Sequence, residues 1–202
     1  VYTNLKSLLK EKGLSVSVGD EGGFAPNLKT SEEVLDLIIL SIERTGLIYL
    51  DDMSIALDCA ASELFSEDSY KFTGENKKFS SDEMVFYMQA LVDKYEIKSV
   101  EDPFDEKDWD AWKTFTKNNN DLQIVGDDIF VTQEKILRKG IDSKVANSIL
   151  VKLNQVGTLS ETMQAISLAK NSGYKTIISH RSGETEDSFI ADLACLLYTS
   201  DA

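Results

Sequence analysis

The sequence predicts an α/β fold in which short parallel strands alternate with amphipathic helices. Five short apolar runs each end in a polar or charged residue, and helix-start signals lie between them. The runs are rich in Ile and Val, as is typical of fully buried parallel strands. They are SIALD (54–58), KSVED (98–102), QIVGDD (123–128), SILVK (148–152) and KTIISH (175–180). Strands that alternate with helices indicate βα units and a parallel sheet.

Three capping-box patterns predict where helices begin, at TSEE (30–33), SSDE (80–83) and TLSE (158–161). In each, Ser or Thr is followed three residues later by Glu, which lets side chains and backbone N–H groups cap one another. Apolar residues continue at helical spacing after the first and third patterns, and Gly173 closes the last segment. The long gap between Asp58 and Glu101 holds residues 62–79, which we expect to form an inserted hairpin or loop.

Composition limits the class of protein. The 202 residues are 42% hydrophobic and 28% charged, which is ordinary for one globular domain. The net charge of −14 argues against nucleic acid and anionic membrane surfaces as partners. No run approaches the roughly 20 apolar residues that a membrane helix needs. Two cysteines, Cys59 and Cys195, predict no disulfide framework, which fits a reducing cytosol.

The residues at the ends of the predicted strands suggest a site. Asp58, Glu101 and Asp127 end three successive strands, and in a barrel such ends converge on one face. Three carboxylates there suit a hard cation such as Mg²⁺. The next strand ends in Lys152, and the last ends in residues 180–181, His and Arg. Such a site could hold an anionic, metal-bound substrate, with the lysine as a base.

Each of these residues also has an ordinary structural interpretation. Acidic residues after strands often form turns or cap helices. Lys152 could be an ion-paired or snorkelling lysine, and a lone histidine such as His180 is more often structural than catalytic. Residues 180–187 could be a loop that leads into a capped helix, and GDEGG (19–23) could be a simple turn. Five consecutive strand ends that all carry reactive groups favour the functional interpretation.

Six longer stretches resemble the enolase (phosphopyruvate hydratase) family over residues 1–194. They are VGDEGGFAPN (18–27), ALDCAASE (56–63), SVEDPFDEKDW (99–109), IVGDDIFVT (124–132), ILVKLNQVGTLSET (149–162) and SHRSGETEDSFIADL (179–193). The resemblance implies a partial TIM-like β/α barrel, the enolase C-terminal domain, truncated at both ends. It also implies reversible dehydration of 2-phosphoglycerate to phosphoenolpyruvate through an enediolate stabilised by Mg²⁺.

The same resemblance implies specific roles for site residues. By motif match, Lys152 is the base that removes the C2 proton, and Glu21 is the acid that helps hydroxide leave C3. The implied Mg²⁺ ligands are Asp58, Glu101 and Asp127, and the implied substrate-binding residues are Glu101, Asp127, Ser179, His180, Arg181 and Ser182. The implied full-length protein is a cytoplasmic homodimer, with a secondary cell-surface or secreted pool as an alternative.

The sequence also departs from the family pattern at its ends. The family's N-terminal domain and several barrel strands have no counterpart, so we expect the chain itself to be inactive. Residues 195–202, CLLYTSDA, resemble a translated sequencing adapter, and we expect them to be a non-native tail after a single domain at 1–194. Two other functions are alternatives: a surface-binding role of the plasminogen-receptor type, and another enolase-superfamily lyase acting on a different carboxylate. The phosphate-suited stretch at 179–187 argues against the latter.

Overall fold

The computed structural model describes residues 1–199 and divides the chain into two compact units. The first unit comprises Val1–Leu57 and Leu64–Lys98. The second comprises Asp58–Glu63 and the chain from Ser99 onward. The predicted division into one domain at 1–194 and a tail stays a prediction.

The first unit holds three helices and a small sheet. Its elements are α1 (Tyr2–Glu11), α2 (Ser31–Glu43), β1 (Ala56–Asp58, whose last residue belongs to the second unit), β2 (Phe65–Ser66), β3 (Ser69–Phe72), β4 (Lys77–Phe79) and α3 (Ser81–Tyr95). Helices α1 and α2 pack together, and both contribute buried side chains: Leu8 and Leu9 from α1, Leu35 and Ile42 from α2.

Both predicted helix starts in this unit are confirmed. The Thr30 hydroxyl accepts a hydrogen bond from the Glu33 N–H at 3.2 Å. Ser80 and Glu83 form a full capping box, in which each side chain accepts from the other residue's backbone N–H. Caps of this kind stabilise a helix by about 0.5–2 kcal/mol.

The segment at 62–79 contains the predicted hairpin. Strands β2, β3 and β4 form an antiparallel three-stranded sheet. Phe72 and Phe79 pack edge to face with ring centroids 5.3 Å apart, and Phe79 stacks on Tyr87 of α3 at 5.0 Å. This aromatic cluster attaches the insertion to α3.

The second unit is a parallel sheet with helices between its strands. Its elements are β5 (Ser99–Glu101), α4 (Trp109–Asn118), β6 (Gln123–Gly126), α5 (Glu134–Ser143), β7 (Ser148–Val151), α6 (Leu153–Val156), α7 (Leu159–Asn171), β8 (Lys175–Ile178) and α8 (Phe189–Thr199). The strand order is β1-β5-β6-β7-β8, and β5 through β8 pair in parallel. All five predicted strands are confirmed, and each is shorter than its predicted run at one or both ends.

The register of the strands brings their carboxyl ends to one edge. Glu101 aligns with Val125, and Val151 aligns with Ile178. Strand β7 is buried along its whole length, and Ile149 and Val151 are fully inaccessible to solvent. Among the described strands, β1 and β8 begin and end the order and do not pair with each other, so the sheet is open, as expected of a partial barrel.

Three further observations concern the carboxyl-terminal helix, the cysteines and the apolar character of the helices. Helix α8 includes the first five residues of the predicted tail, and residues 200–202 lie outside the described part. Neither Cys59 nor Cys195 forms a disulfide. None of the described helices has the length and apolar character needed to traverse a bilayer.

Candidate active site

Three carboxylates and one ammonium group meet at the carboxyl ends of neighbouring strands in the second unit. Asp58 ends β1, Glu101 ends β5, Asp127 follows β6 and Lys152 follows β7. Burial and repulsion from Asp58 and Asp127 raise the pKa of Glu101 to about 8. Burial, with repulsion from Asp127, also raises the pKa of Asp58. These carboxylates are therefore close enough to repel one another, and their role as one set of metal ligands stays a prediction.

Lys152 forms a partly buried ion pair with Asp127. Its Nζ donates to Asp127 Oδ2, and the two side chains are only 18% and 9% exposed. Low exposure strengthens such a pair relative to one on the surface. The lysine is therefore ion-paired, as its structural interpretation proposed, and its role as a base stays a prediction.

Asp102 holds the loop that carries Asp127. Its side chain is buried, and its two oxygens accept the backbone N–H groups of Asp127 and Asp128, each at 2.9 Å. Burial raises the pKa of Asp102 to about 7, although both hydrogen bonds oppose that shift. Asp102 itself lies in the left-handed region at φ 41°, a conformation that a non-glycine residue adopts only where its surroundings compensate.

A second grouping of carboxylates overlaps the predicted metal ligands. Oxygens of Asp102, Asp127 and Asp128 lie within 4.8 Å of one another. Both Asp102 oxygens accept backbone hydrogen bonds from the Asp127 loop, so this residue also fixes the shape of that loop. Asp127 is common to this grouping and to the predicted set of Asp58, Glu101 and Asp127. Carboxylate oxygens on adjacent strand ends fit a hard cation such as Mg²⁺.

The end of β6 is shaped by two glycines that flank a phenylalanine ring. A Cβ on Gly126 would lie 2.6 Å from Ile129 Cγ2 and 2.6 Å from the Phe130 ring, and one on Gly140 would lie 2.4 Å from the same ring. Phe130 is fully buried. Only glycine allows this close approach of strand, ring and helix, and the packing sets the start of the Asp127 turn.

Thr132 and Gln155 link Asp127 to Lys152 by a second route. The Lys152 backbone N–H donates to Thr132 Oγ1 at 2.9 Å, and that hydroxyl donates to Gln155 Oε1 at 2.7 Å. Gln155 Nε2 then donates to Asp127 Oδ1 at 3.1 Å. Together with the ion pair between Lys152 and Asp127, these hydrogen bonds form a closed ring of contacts.

The predicted substrate-binding residues follow β8 at the same edge of the sheet. The Ser179 N–H donates to the Val151 carbonyl at 2.9 Å, which continues the β7–β8 pairing. Arg181 reaches Asn154 Oδ1 at 2.8 Å, and its charge opposes the rise in the pKa of Asp128. His180, Arg181 and Ser182 are exposed. The structure thus brings this stretch to the edge that carries Asp127 and Lys152.

Glu21 belongs to the first compact unit, where it is exposed in a tight turn. The Gly19 N–H donates to the Gly23 carbonyl at 2.9 Å, and Gly22 lies at φ 83°, which favours glycine. The GDEGG stretch therefore has the turn conformation of its structural interpretation. The role of Glu21 as an acid stays a prediction.

The site includes residues that the sequence analysis did not single out. Asp102 and Asp128 stand directly beside Glu101 and Asp127 in the chain, and acidic pairs at two strand ends were a signal that could have found them. Gln155 and Thr132 carried no comparable signal, because their roles depend on contacts between separate loops.

Comparison with known proteins adds a family match to this geometry. Residues 1–201 match the family model described as "Enolase, C-terminal TIM barrel domain". Curated proteins named "Enolase" from Legionella pneumophila strains Corby, Paris and Philadelphia 1 are each 54% identical over 195 residues. The match covers 96% of this chain and 46% of each relative, so the chain spans about half the length of those relatives.

Proposed function

This chain belongs to the enolase family through its C-terminal barrel domain, and we propose that it carries the catalytic base and metal ligands of a phosphopyruvate hydratase. The reaction is the reversible dehydration of 2-phosphoglycerate to phosphoenolpyruvate. The relatives are about twice as long, so the activity is proposed for a full-length enzyme, meaning a protein of the relatives' length that contains this chain.

The observation that carries the proposal is the position of Lys152 against Asp127. The C2 proton of 2-phosphoglycerate lies beside a carboxylate and is weakly acidic, so its removal needs a base held close to it. Lys152 Nζ, in its neutral amine form, is the group proposed to accept that proton. Its low exposure keeps water from competing for the amine.

Removal of the proton builds a second negative charge on the substrate carboxylate. Asp58, Glu101 and Asp127 would hold Mg²⁺, which supplies the neutralisation of that charge when bound. Burial, and then repulsion from Asp58 and Asp127, raises the pKa of Glu101 to about 8. This supports the role, since a cation among these groups would relieve the repulsion.

The remaining roles are assigned to residues around this centre. Arg181 and Ser182 are proposed to bind the phosphate, since an arginine presents several donors to phosphate oxygens, and Ser179 and His180 contact the rest of the substrate. Glu21 is proposed to protonate the departing hydroxide. A phosphate-binding stretch favours 2-phosphoglycerate over an unphosphorylated carboxylate. The full-length enzyme is proposed to be a cytoplasmic homodimer.

The test is solvent exchange of the C2 proton in the full-length enzyme. With 2-phosphoglycerate and Mg²⁺ in deuterium oxide, the unsubstituted enzyme should exchange this proton and form phosphoenolpyruvate. Lys152→Ala should abolish exchange while Mg²⁺ binding persists. Lys175→Ala is the matched control, because Lys175 is an exposed lysine at the opposite end of β8. Exchange at the normal rate in Lys152→Ala would show that another group is the base.

A further inference from the structure

We propose that Thr132 and Gln155 are positioning residues that hold the Lys152 amine and the Asp127 carboxylate in a fixed relation, an inference that rests on the proposed function. The two residues lie on separate segments. Thr132 is in the turn after β6, and Gln155 is in α6 after β7. They connect the two strand ends that carry Asp127 and Lys152.

The directions of the hydrogen bonds follow from the available protons. The Thr132 hydroxyl accepts from the Lys152 N–H, so its one proton is left to donate. Gln155 Oε1 lies at 2.7 Å, whereas the alternative acceptor, the Leu150 carbonyl, lies at 3.5 Å. Donation to Gln155 Oε1 turns the amide so that its NH₂ group faces Asp127 Oδ1. Each donor therefore meets an acceptor.

This arrangement occupies one oxygen of Asp127 and leaves the other with Lys152. Gln155 holds Oδ1 and the amine holds Oδ2, so the carboxylate plane cannot rotate without breaking a hydrogen bond. At the same time, Thr132 holds the backbone of Lys152. Ligands and bases oriented in this way are sensitive to loss of their supporting hydrogen bonds, typically by about 10- to 100-fold in metal affinity or activity.

The backbone at Thr132 supports a specific role. Thr132 is fully buried and lies at φ 57°, and its neighbour Val131 lies at φ 43°. Positive φ is unfavourable for β-branched residues. Two such residues in succession indicate a turn whose conformation is maintained by its contacts. The Thr132 hydroxyl, which accepts from the Lys152 N–H and donates to Gln155 Oε1, is central among these contacts.

The test compares near-isosteric variants of the full-length enzyme. Thr132→Val keeps the β-branched shape and the backbone preference but removes the hydroxyl, whereas Thr132→Ser keeps the hydroxyl. Gln155→Met removes the amide, and Gln155→Glu keeps an acceptor for Thr132 but cannot donate to Asp127. Thr162→Val and Gln123→Met are the controls. Thr162 is a fully buried threonine whose hydroxyl donates within its own helix, and Gln123 is a half-buried glutamine at the amino end of β6.

We expect Thr132→Val, Gln155→Met and Gln155→Glu each to lower kcat and C2 exchange by roughly 10- to 100-fold, with a much smaller change in KM for 2-phosphoglycerate. Thr132→Ser and both controls should stay near the unsubstituted enzyme. Titration of each variant with Mn²⁺ should show weaker binding for the Gln155 variants, because Asp127 loses a supporting donor. If Thr132→Val does not fold, as judged by thermal unfolding, Gln155→Met decides the question.

This experiment distinguishes failure of the positioning role from failure of the proposed function. Normal kcat and Mn²⁺ binding in Thr132→Val and Gln155→Met would overturn the positioning role while leaving the proposed function intact. An equal loss in Thr162→Val or Thr132→Ser would also overturn it, because the effect would then be general destabilisation. Failure of the unsubstituted full-length enzyme to dehydrate 2-phosphoglycerate would instead refute the proposed function.

Discussion

Burial of several carboxylates close to one another dominates the individual residues of the site. The pKa values of Glu101, Asp102 and Asp58 are all raised above the ordinary carboxyl range, chiefly by burial. Neighbouring carboxylates add to the rise, and backbone hydrogen bonds to Asp102 and Asp58 oppose it. A single ammonium group, that of Lys152, pairs with Asp127. Uncompensated acids of this kind cost folding free energy, and they gain from any cation that binds among them.

The crowding predicts how stability depends on pH. The pKa of Glu101 is about 8 in the folded chain and close to 4.5 when unfolded, so the folded state binds more protons in between. Stability from this group is therefore present below about pH 4.5 and lost as the pH rises through about 8. Urea unfolding of the metal-free full-length enzyme should show a falling free energy of unfolding from about pH 5 to about pH 9.

Glu101→Gln is the matched variant for this dependence, because its amide cannot ionise. We expect it to reduce the slope of stability against pH. We also expect excess Mg²⁺ to reduce the slope in the unsubstituted full-length enzyme, because a cation favours the ionised carboxylates. An unchanged slope in Glu101→Gln would assign the effect to other groups.

Metal binding gives a second prediction for single residues. Asp127→Asn and Glu101→Gln should each weaken Mg²⁺ binding of the full-length enzyme by at least about tenfold, since a ligand supplies both charge and a coordinating oxygen. Glu32→Gln and Asp36→Asn should have little effect. Glu32 is half exposed and pairs with Lys94, and Asp36 accepts from the Tyr95 hydroxyl, so they supply only a screened field. Isothermal titration measures the difference, and similar losses in both sets would indicate diffuse charge binding.

The candidate residues could be predicted from the sequence where a position at the end of a strand was enough to bring them together. Asp58, Glu101, Asp127 and Lys152 were found because each stands at the end of an apolar run, and parallel strands bring such ends together. The supporting residues were not, since Thr132 contacts Gln155 across 23 positions of sequence. Side-chain contacts between loops leave no periodic pattern in the sequence.

Among the secondary-structure elements, the junction between β6 and α5 most directly sets the site. Gly126 ends the strand, Gly140 lies in the helix, and the Phe130 ring fills the space between them. Strands and helix starts were predictable from apolar runs and capping boxes, which are local signals. The need for glycine at these two positions is set by tertiary packing, and the sequence analysis did not identify it.

This junction yields a prediction about stability. Gly126→Ala should lower the free energy of unfolding by about 1–3 kcal/mol, because the added methyl overlaps Ile129 and the Phe130 ring. Gly74→Ala is the control, since a Cβ there meets nothing within 4 Å and its φ is not in the left-handed region. Urea unfolding of the full-length enzyme carrying each substitution compares the two variants. Equal stability of both would show that the junction can relax around the extra methyl group.

In the chain as a whole, the parallel sheet of the second unit has two ends that do not meet. The five strands run from β1 to β8, whereas the matched family is described as a TIM barrel, which closes with eight strands. The open edges present unpaired backbone groups, a feature that favours association between chains. The match covers only 46% of each relative, which is why the activity is proposed for a protein of their length.

The last prediction concerns a polypeptide of residues 1–202 made as it stands. We expect no measurable dehydration of 2-phosphoglycerate, even with excess Mg²⁺, and a strong tendency to aggregate. Catalysis by an ion-paired lysine and three carboxylates depends on precise placement of the substrate and on stabilisation of its developing charge. Losing both together costs several orders of magnitude in rate. The measurement is a coupled assay of the purified polypeptide beside the full-length enzyme, with thermal unfolding to establish whether the polypeptide is folded. Turnover close to that of the full-length enzyme, from a soluble polypeptide that unfolds cooperatively, would mean that the open sheet already contains every group that the reaction requires.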